Sequence, residues 1–324
     1  MMPRLSRRQF LTGSAVCLAG CARRYGRRQA PLPENLVSVL RQPDYTPQLH
    51  AGMQRILAEH HLNVRGKRVL LKPNLVEFEP DSPINTHPML VHAALEAFRG
   101  LGGEVVIGEG PGHRRNTLDM AEAAGYFKTI PGFERIFTDL NLDQVAEIHL
   151  AQPHSRLKSV YLAQSALCCD LLVSMPKMKT HHWVGATLSM KNLFGTVSGG
   201  VYGWPKNILH WAGIPQCVAD LYRTLPQHFA IVDGIVGMEG NGPIQGVAKA
   251  ARLLVAGSDP VAVDATCCRL MGIDPFRVGY LRLAAGAEER LKERNIVQAG
   301  ESVAAAATTF ELIPELRNFR LEKS

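Results

Sequence analysis

Short apolar runs recur along the chain, and each run ends in polar or glycine-rich residues. The runs that predict buried strands lie at 68–72, 104–107, 166–174, 229–233 and 253–256. Segments with a helical pattern separate several of them, at 47–63, 86–98, 117–126 and 258–270. Strands that alternate with helices favour a parallel arrangement. The pattern therefore predicts an α/β fold with a mainly parallel sheet flanked by helices.

Smaller signals refine this outline. Alternating polar and apolar residues over 146–162 predict a small β-ribbon insertion. Thr86 and Asp259 each stand just before a proline at a predicted helix start, which is the pattern of an N-cap followed by proline in the first turn. We therefore expect Thr86 and Asp259 to cap their helices.

Four polar loops follow predicted strands and are expected to meet at one edge of the sheet. They begin at Lys72, Gly108, Lys177 and Asp233. Parallel strands bind ligands beyond their carboxyl ends, so these loops share one expected destination. The segment 108–113 imitates a dinucleotide fingerprint but lacks its last glycine, which argues against NAD.

The stretch 174–199 concentrates lysines and histidines directly after an apolar run. Lys177 and Lys179 are two residues apart, so they share a face of an extended segment, and their ammonium groups repel unless an anion lies between them. The alternative is a solvated loop whose lysines point to water. We expect an anion-binding wall, because apolar neighbours such as Met178 and Trp183 would draw the segment against a core. The expected ligand-binding residues of the whole site are Lys72, Asn74, Lys177, Lys179, Thr180, Lys191 and Asn192.

Candidate groups for chemistry stand in the same loops. His181 and His87 are candidate acid–base residues, because imidazole titrates near neutral pH. Asp233 and Glu239 allow two interpretations, either ion pairs that fix the loops or oxygen ligands for a divalent cation such as Mg²⁺. The chain contains no GxSxG, HExxH or Walker motif, so no nucleophile stands out.

The first 34 residues have a different character. A pair of arginines in 6–11 precedes a short apolar stretch that ends in Leu18-Ala19-Gly20-Cys21. This resembles a twin-arginine export signal followed by a bacterial lipobox, with Cys21 as the lipidated residue. The alternative is a disordered basic N-terminus with a chance LAGC. We therefore divide the chain into a signal segment (1–20), a basic flexible tether (21–34) and one α/β domain (35–324).

Charge supports this division. The 324 residues include 36 Lys and Arg against 29 Asp and Glu, a formal net charge of +7. Arginines within the first 28 residues equal that excess, namely Arg4, Arg7, Arg8, Arg23, Arg24, Arg27 and Arg28. The body is formally neutral, so nucleic acid is not an expected partner.

Five cysteines remain in the body of the chain: Cys168, Cys169, Cys217, Cys267 and Cys268. None has CxxC spacing, which argues against an iron–sulfur cluster or a structural zinc site. The cysteines are expected to be buried as small apolar residues, or else to bridge between the two adjacent pairs.

Taken in order, the loop motifs resemble the DUF362 family, a group of α/β proteins whose molecular role is largely unassigned. The likeness extends over about 65–275 and rests on 71–74 (LKPN), 86–88 (THP), 108–110 (GEG), 176–181 (PKMKTH), 189–195 (SMKNLFG), 232–234 (VDG), 239–243 (EGNGP) and 259–264 (DPVAVD). It implies that the strand-end loops form one site, but it supplies no reaction. Some members carry ferredoxin-like modules, and this chain lacks their cysteine array.

The sequence thus predicts an exported protein, anchored to a membrane of the periplasm or cell envelope, that binds an anionic small molecule or cofactor and acts on it. Its cofactor is unknown, with a divalent cation as one candidate. Its other expected partners are the twin-arginine export machinery and the bacterial membrane. The alternative is a non-catalytic envelope lipoprotein that captures a ligand or docks a redox partner.

The lipobox gives a direct test. Replacing Cys21 with Ser removes the thiol that would be lipidated, so Cys21→Ser should move the protein from the membrane fraction to the soluble fraction of the cell. Cys17→Ser is the matched control and should leave the distribution unchanged. Persistent membrane attachment of Cys21→Ser would contradict the lipobox.

Overall fold

Apolar side chains determine where the strands of this protein form. The computed structural model describes residues 35–113, 116–226 and 228–322, and its strands Leu171–Met175 and Leu253–Gly257 are buried at every position. Such continuous burial is typical of strands covered on both faces. The sheet is therefore an internal layer of the molecule.

The elements are numbered in chain order. The strands are β1 (Leu36–Arg41), β2 (Arg68–Pro73), β3 (Glu104–Glu109), β4 (Phe137–Asp139), β5 (Val145–His149), β6 (Ser159–Ala163), β7 (Leu171–Met175), β8 (Lys177–His181), β9 (Gly185–Thr187), β10 (His228–Glu239), β11 (Val247–Lys249), β12 (Leu253–Gly257) and β13 (Val297–Gly300). The α-helices are α1 (Leu49–Glu59), α2 (Pro88–Gly100), α3 (Thr117–Ala123), α4 (Tyr126–Thr129), α5 (Phe133–Ile136), α6 (Gln164–Cys168), α7 (Gly199–Tyr202), α8 (Ile208–Trp211), α9 (Ile214–Thr224), α10 (Pro260–Leu270), α11 (Gly279–Ala285) and α12 (Val303–Ala306). The 3-10 helices are Lys191–Thr196, Glu288–Leu291, Glu293–Asn295 and Pro314–Phe319.

The main sheet has the strand order β13-β1-β12-β10-β7-β2-β3-β4. From β10 to β4 every neighbouring pair is parallel, whereas β12 runs antiparallel to both β10 and β1. β8 and β11 pair with β10, and β5 with β6 forms a separate antiparallel ribbon. The predicted α/β class, with a mostly parallel sheet flanked by helices, is confirmed.

The two faces of the sheet carry different cores. Along β12, Leu253 and Val255 face a core that includes residues of α10 and α11, while Leu254 and Ala256 face a core that includes residues of α1 and α2. This follows from the alternation of side chains along a strand. Helices on both faces leave the strand ends as the open edge.

The structure corrects the predicted elements in two places. Residues 164–168 form helix α6 where a strand was predicted from residue 166, and β10 continues to Glu239 where a loop was predicted after Asp233. The glycines that suggested a loop serve a different purpose. A Cβ at Gly234 would lie 2.9 Å from Met178 Cε, and one at Gly237 would lie 2.6 Å from Met178 O. Glycine therefore lets β10 pass close to β8. Strand β8 itself also forms where a loop was expected.

One of the predicted caps is confirmed and one is wrong. Asp259 caps α10 by accepting a 3.0 Å hydrogen bond from Val261 N. The cap of α2 is His87, whose Nδ1 accepts from Met89 N at 3.2 Å. Thr86 lies one residue too early and instead donates its hydroxyl to Met175 O at 2.5 Å.

The predicted signal segment and tether, residues 1–34, lie outside the described residues. Within the described part, no helix is long and apolar enough to cross a membrane. Among the body cysteines, Cys169, Cys217, Cys267 and Cys268 are buried and free, so those four do not form the alternative bridge.

Asp264 fixes the start of the 3-10 helix that follows β9. Its carboxylate is fully buried and accepts from Ser189 N (2.8 Å), Ser189 Oγ (2.6 Å) and Met190 N (3.1 Å). Burial raises the pKa of Asp264 to about 7, although these three donors oppose the rise. The carboxylate thus holds the turn that leads into Lys191.

Removing this carboxylate should destabilise the fold. Asp264→Ala leaves two backbone N–H groups and a hydroxyl unsatisfied in the core, so we expect the free energy of unfolding to fall by about 3 kcal/mol. Asp259→Ala, which removes a helix cap and a partly exposed ion pair with Arg290, should cost about 1–2 kcal/mol. Urea unfolding monitored by circular dichroism measures both, and equal losses would contradict this assignment to Asp264.

Candidate functional site

The ends of β2 and β3 bring a lysine and a glutamate into contact. Lys72 Nζ lies 2.6 Å from Glu109 Oε2, and both side chains are buried. Lys72 also donates to Asn192 Oδ1 at 3.1 Å and to Pro73 O at 3.2 Å. Lys72 therefore lies at the strand-end edge as predicted, with a carboxylate partner in Glu109.

A network of amides surrounds this ion pair. Lys72 can only donate, so Asn192 must present Oδ1 to it, and Asn192 Nδ2 then donates to Lys72 O and Ser174 Oγ. Asn74 must in turn present Nδ2 to Asn192 Oδ1, at 3.2 Å. Asn74 Oδ1 is left buried, with no hydrogen-bond donor among the described residues. This acceptor is available to a ligand.

Gly195 permits the ion pair to sit against the 3-10 helix Lys191–Thr196. A Cβ at this position would overlap Glu109 Oε1 and would lie 2.6 Å from Lys72 Nζ. The structural role of Gly195 is to allow this close approach. The helix that carries Lys191 and Asn192 is thereby held against the ends of β2 and β3.

Lys177 forms a second buried ion pair. Its Nζ lies 2.6 Å from Asp233 Oδ2 and donates to Tyr45 Oη at 2.9 Å. Asp233 also accepts from Tyr45 Oη at 2.8 Å and from His87 N at 2.9 Å. Burial and then Asp233 raise the pKa of Tyr45, so the phenol keeps its proton and can donate. Tyr45 was not identified from the sequence, because it precedes the first predicted helix and belongs to no motif.

Lys179 is buried without a carboxylate partner among the described residues. Its ammonium donates to two backbone carbonyls, Ile84 O at 2.8 Å and Pro243 O at 3.2 Å. Burial holds its pKa well below the usual value, and the neighbouring charges of Lys177 and Lys191 lower it further. Lys177 and Lys179 thus both lie on β8, but only Lys177 has an acidic partner.

Two more lysines have no carboxylate partner among the described residues. Lys191 is partly exposed, with its Nζ 3.9 Å from the centre of the Phe194 ring, and Lys206 is buried and donates to Gly110 O at 2.7 Å. The pKa of each falls to about 7, mainly because of burial and with a contribution from Lys72, while Glu109 and Asp139 oppose the fall at Lys206. Neither has a carboxylate within ion-pair distance in the described part of the chain. We refer to Lys179, Lys191 and Lys206 as the cation cluster.

The two candidate acid–base histidines differ in role. His181 is buried, and its Nδ1 accepts from Trp183 N at 3.2 Å, so the neutral ring carries its hydrogen on Nε2. Burial holds the pKa of His181 well below its usual value, with Lys191 adding to the effect. His87 caps α2, stacks 3.7 Å from Tyr45 and has a pKa lowered to about 4 by burial. The imidazole of His87 is thus held by its hydrogen bond to the backbone of α2.

The remaining predicted site residues have contacts within the protein. Thr180 is buried and donates to Gly240 O at 2.8 Å. Glu239 accepts from Glu311 N at 2.9 Å and pairs with Lys249 at 3.1 Å. Asp233 and Glu239 therefore belong to separate ion pairs, and the described residues contain no group of three or more His, Cys, Asp and Glu placed to hold a metal ion. The ion-pair interpretation accounts for both carboxylates.

Aromatic rings and imidazoles lie beside the cation cluster. The His210 ring is 5.4 Å from Trp183 and 6.5 Å from Phe194, and Trp183 is 4.5 Å from His182. His210 and Lys206 come from the short segment around α8, which has no strand-end position and no periodic pattern. Sequence reasoning missed both residues for this reason. Arg114 and Arg115, two further basic residues of the loop after β3, lie outside the described residues.

Comparison with known proteins gives a family and one similar protein. The model of the family described as "Domain of unknown function (DUF362)" matches residues 69–269, more than half of the 324-residue chain. A thylakoid-associated protein of Synechocystis sp. is 28% identical over 256 residues, which cover 76% of this chain and 72% of the relative.

One solved structure resembles the chain distantly. The lactate racemase apoprotein from Thermoanaerobacterium thermosaccharolyticum gives a TM-score of 0.47 at 12% identity, with 76% of this chain covered. The matched region spans 59% of that enzyme chain, less than two thirds of its length.

The motifs at 71–74, 176–181 and 189–195 that carry the strand-end site all lie inside the region matched by the family model. The chain belongs to the DUF362 family.

Proposed function

We propose that this protein binds an anionic small molecule at the strand-end site and acts on it as an enzyme. The observation that carries the proposal is the cation cluster, whose three lysines have no carboxylate partner among the described residues. An exported, membrane-tethered location through Cys21 is part of the same proposal. The relative named as thylakoid-associated supports association with a membrane and is silent on the export route.

The contrast between paired and unpaired lysines supports an anionic ligand. Lys72 and Lys177 each have a carboxylate at 2.6 Å, so burial of their charges is compensated within the protein. The cation cluster is electrostatically unfavourable by itself, since the ammonium groups of Lys179 and Lys206 are removed from water and Lys191 repels both. A bound anion would relieve both costs and raise the pKa of all three lysines.

Other groups around the cluster suit recognition and proton transfer. Asn74 Oδ1 can accept a hydrogen bond from the ligand, and His181 Nε2–H can donate one. We therefore assign His181 as a hydrogen-bond donor rather than a base. Lys191, partly exposed and with a pKa of about 7, is the group best suited to exchange a proton with the ligand near neutral pH.

Two volume-matched variants separate a ligand-binding lysine from a structural one. Lys179→Met should weaken binding of sulfate about tenfold or more and should leave thermal stability unchanged or higher, because it removes an unpaired buried cation. Lys72→Met should instead reduce the free energy of unfolding by about 3–5 kcal/mol, because it leaves the Glu109 carboxylate buried without its ion-pair partner.

Isothermal titration calorimetry and urea unfolding measure these effects. Lys128→Met, which removes an exposed lysine of α4, is the control and should change neither quantity. If wild type binds no sulfate, phosphate or carboxylate probe, the proposed function is wrong. If Lys179→Met loses stability and keeps its affinity, Lys179 is structural.

Binding should depend on pH through Lys191 and Lys206. Their pKa values of about 7 mean that both are largely neutral at pH 8.5 in the free protein, and the anion favours their protonated forms. Sulfate affinity should therefore rise as pH falls from 9 to 6, with uptake of up to about two protons per sulfate at pH 8.5. Calorimetry in buffers of different ionisation enthalpy counts these protons. Affinity that is independent of pH, with no proton uptake, would contradict the assignment.

A further inference from the structure

A series of rings leads from the cation cluster towards the surface. Lys191 Nζ lies 3.9 Å above the centre of Phe194, and the Phe194 ring meets His210 at 6.5 Å with an interplanar angle of 85°. His210 meets Trp183 at 5.4 Å and 73°. Consecutive rings are thus in edge-to-face contact, an arrangement that the aromatic quadrupole favours.

The outer end of this series is open. Trp183 is 62% exposed, and its ring has imidazole neighbours in His182 at 4.5 Å and His181 at 6.0 Å. His181 belongs to the site. Trp183 thus contacts His181 directly and is linked to Lys191 through the rings of His210 and Phe194. Trp211, in contrast, is 73% exposed and has no ring contact with a described residue of this series. The two tryptophans thus differ in their connection to the site.

We propose that the anionic ligand carries an aromatic or heteroaromatic ring, which stacks on Trp183 while its anionic group is held at Lys191 and its neighbours. This inference rests on the proposed function and specifies the class of ligand. A planar ring would extend the existing edge-to-face series and cover the exposed indole. An apolar chain would cover the indole as well, but would gain nothing from the ordered ring geometry.

Adenosine 5′-monophosphate and ribose 5-phosphate provide a matched pair of probes. Both carry a phosphate ester on ribose, and they differ in the purine ring. Stacking of a base on an aromatic side chain predicts that adenosine 5′-monophosphate binds at least about fivefold more tightly in calorimetry. The chain contains three tryptophans, Trp183, Trp204 and Trp211, so quenching of their fluorescence provides a second readout.

Variants of the two exposed tryptophans locate the ring. Trp183→Leu should abolish the preference for adenosine 5′-monophosphate and keep the affinity for ribose 5-phosphate, whereas Trp183→Phe should retain most of the preference. Trp211→Leu is the matched control and should behave as wild type. Both side chains are exposed, and urea unfolding checks that each variant folds.

The outcomes separate this inference from the proposed function. Equal binding of the two probes by wild type, or equal loss of preference in Trp183→Leu and Trp211→Leu, overturns the aromatic ligand while the anion site stands. Unchanged preference in Trp183→Leu also overturns the aromatic ligand. If this variant in addition loses binding to lipid vesicles that the wild type binds, the exposed indole is a membrane contact instead. Failure of both probes, sulfate and carboxylates to bind overturns the proposed function itself.

Discussion

Burial of lysine ammonium groups is the constraint on which the strand-end edge of this protein depends. Each such group must form an ion pair with a carboxylate, lose its proton or bind an anion. Lys72 and Lys177 follow the first route through Glu109 and Asp233, and these ion pairs join β2 to β3 and β8 to β10. The lysines of the cation cluster have no such carboxylate among the described residues, so deprotonation or a bound anion is left to them. The same residue type therefore forms internal ion pairs at two positions and, in our proposal, binds the anion at three.

The scaffold holds these charges in place through close backbone contacts. Gly195 lets the helix that carries Lys191 rest on the Lys72–Glu109 pair, and Gly237 lets β10 approach β8. Asp264 fixes the turn before that helix with three hydrogen bonds. Since protein interiors are closely packed, added volume at either glycine must be absorbed by displacement of neighbouring atoms. The lysines are thus positioned in part by glycines and by a carboxylate that makes its hydrogen bonds elsewhere.

Much of this arrangement could be predicted from the sequence, because strand ends in a parallel sheet have a common location. Apolar periodicity identified the strands, and therefore placed Lys72, Lys177 and Lys179 together. It failed for Lys206 and His210, which reach the site from short helices without a periodic pattern. It also could not choose between the ion-pair and the metal interpretation of Asp233 and Glu239, since a carboxylate in a sequence does not reveal which lysine it meets. The glycines of β10 misled in another way, because close strand packing and turns select the same residue.

The membership of β8 in the main sheet has a kinetic consequence for ligand exchange. Lys177 and Lys179 lie on a strand paired with β10 on one side and β9 on the other, so that wall can separate only if sheet hydrogen bonds break. Lys191 and Lys206 instead lie in a six-residue 3-10 helix and in the turn before the four-residue helix α8. Short helices have few internal hydrogen bonds and open more readily than sheet strands. Entry and departure of a ligand would therefore be governed by the residues 191–211, and the rate of exchange could evolve there without altering the wall that holds the charge.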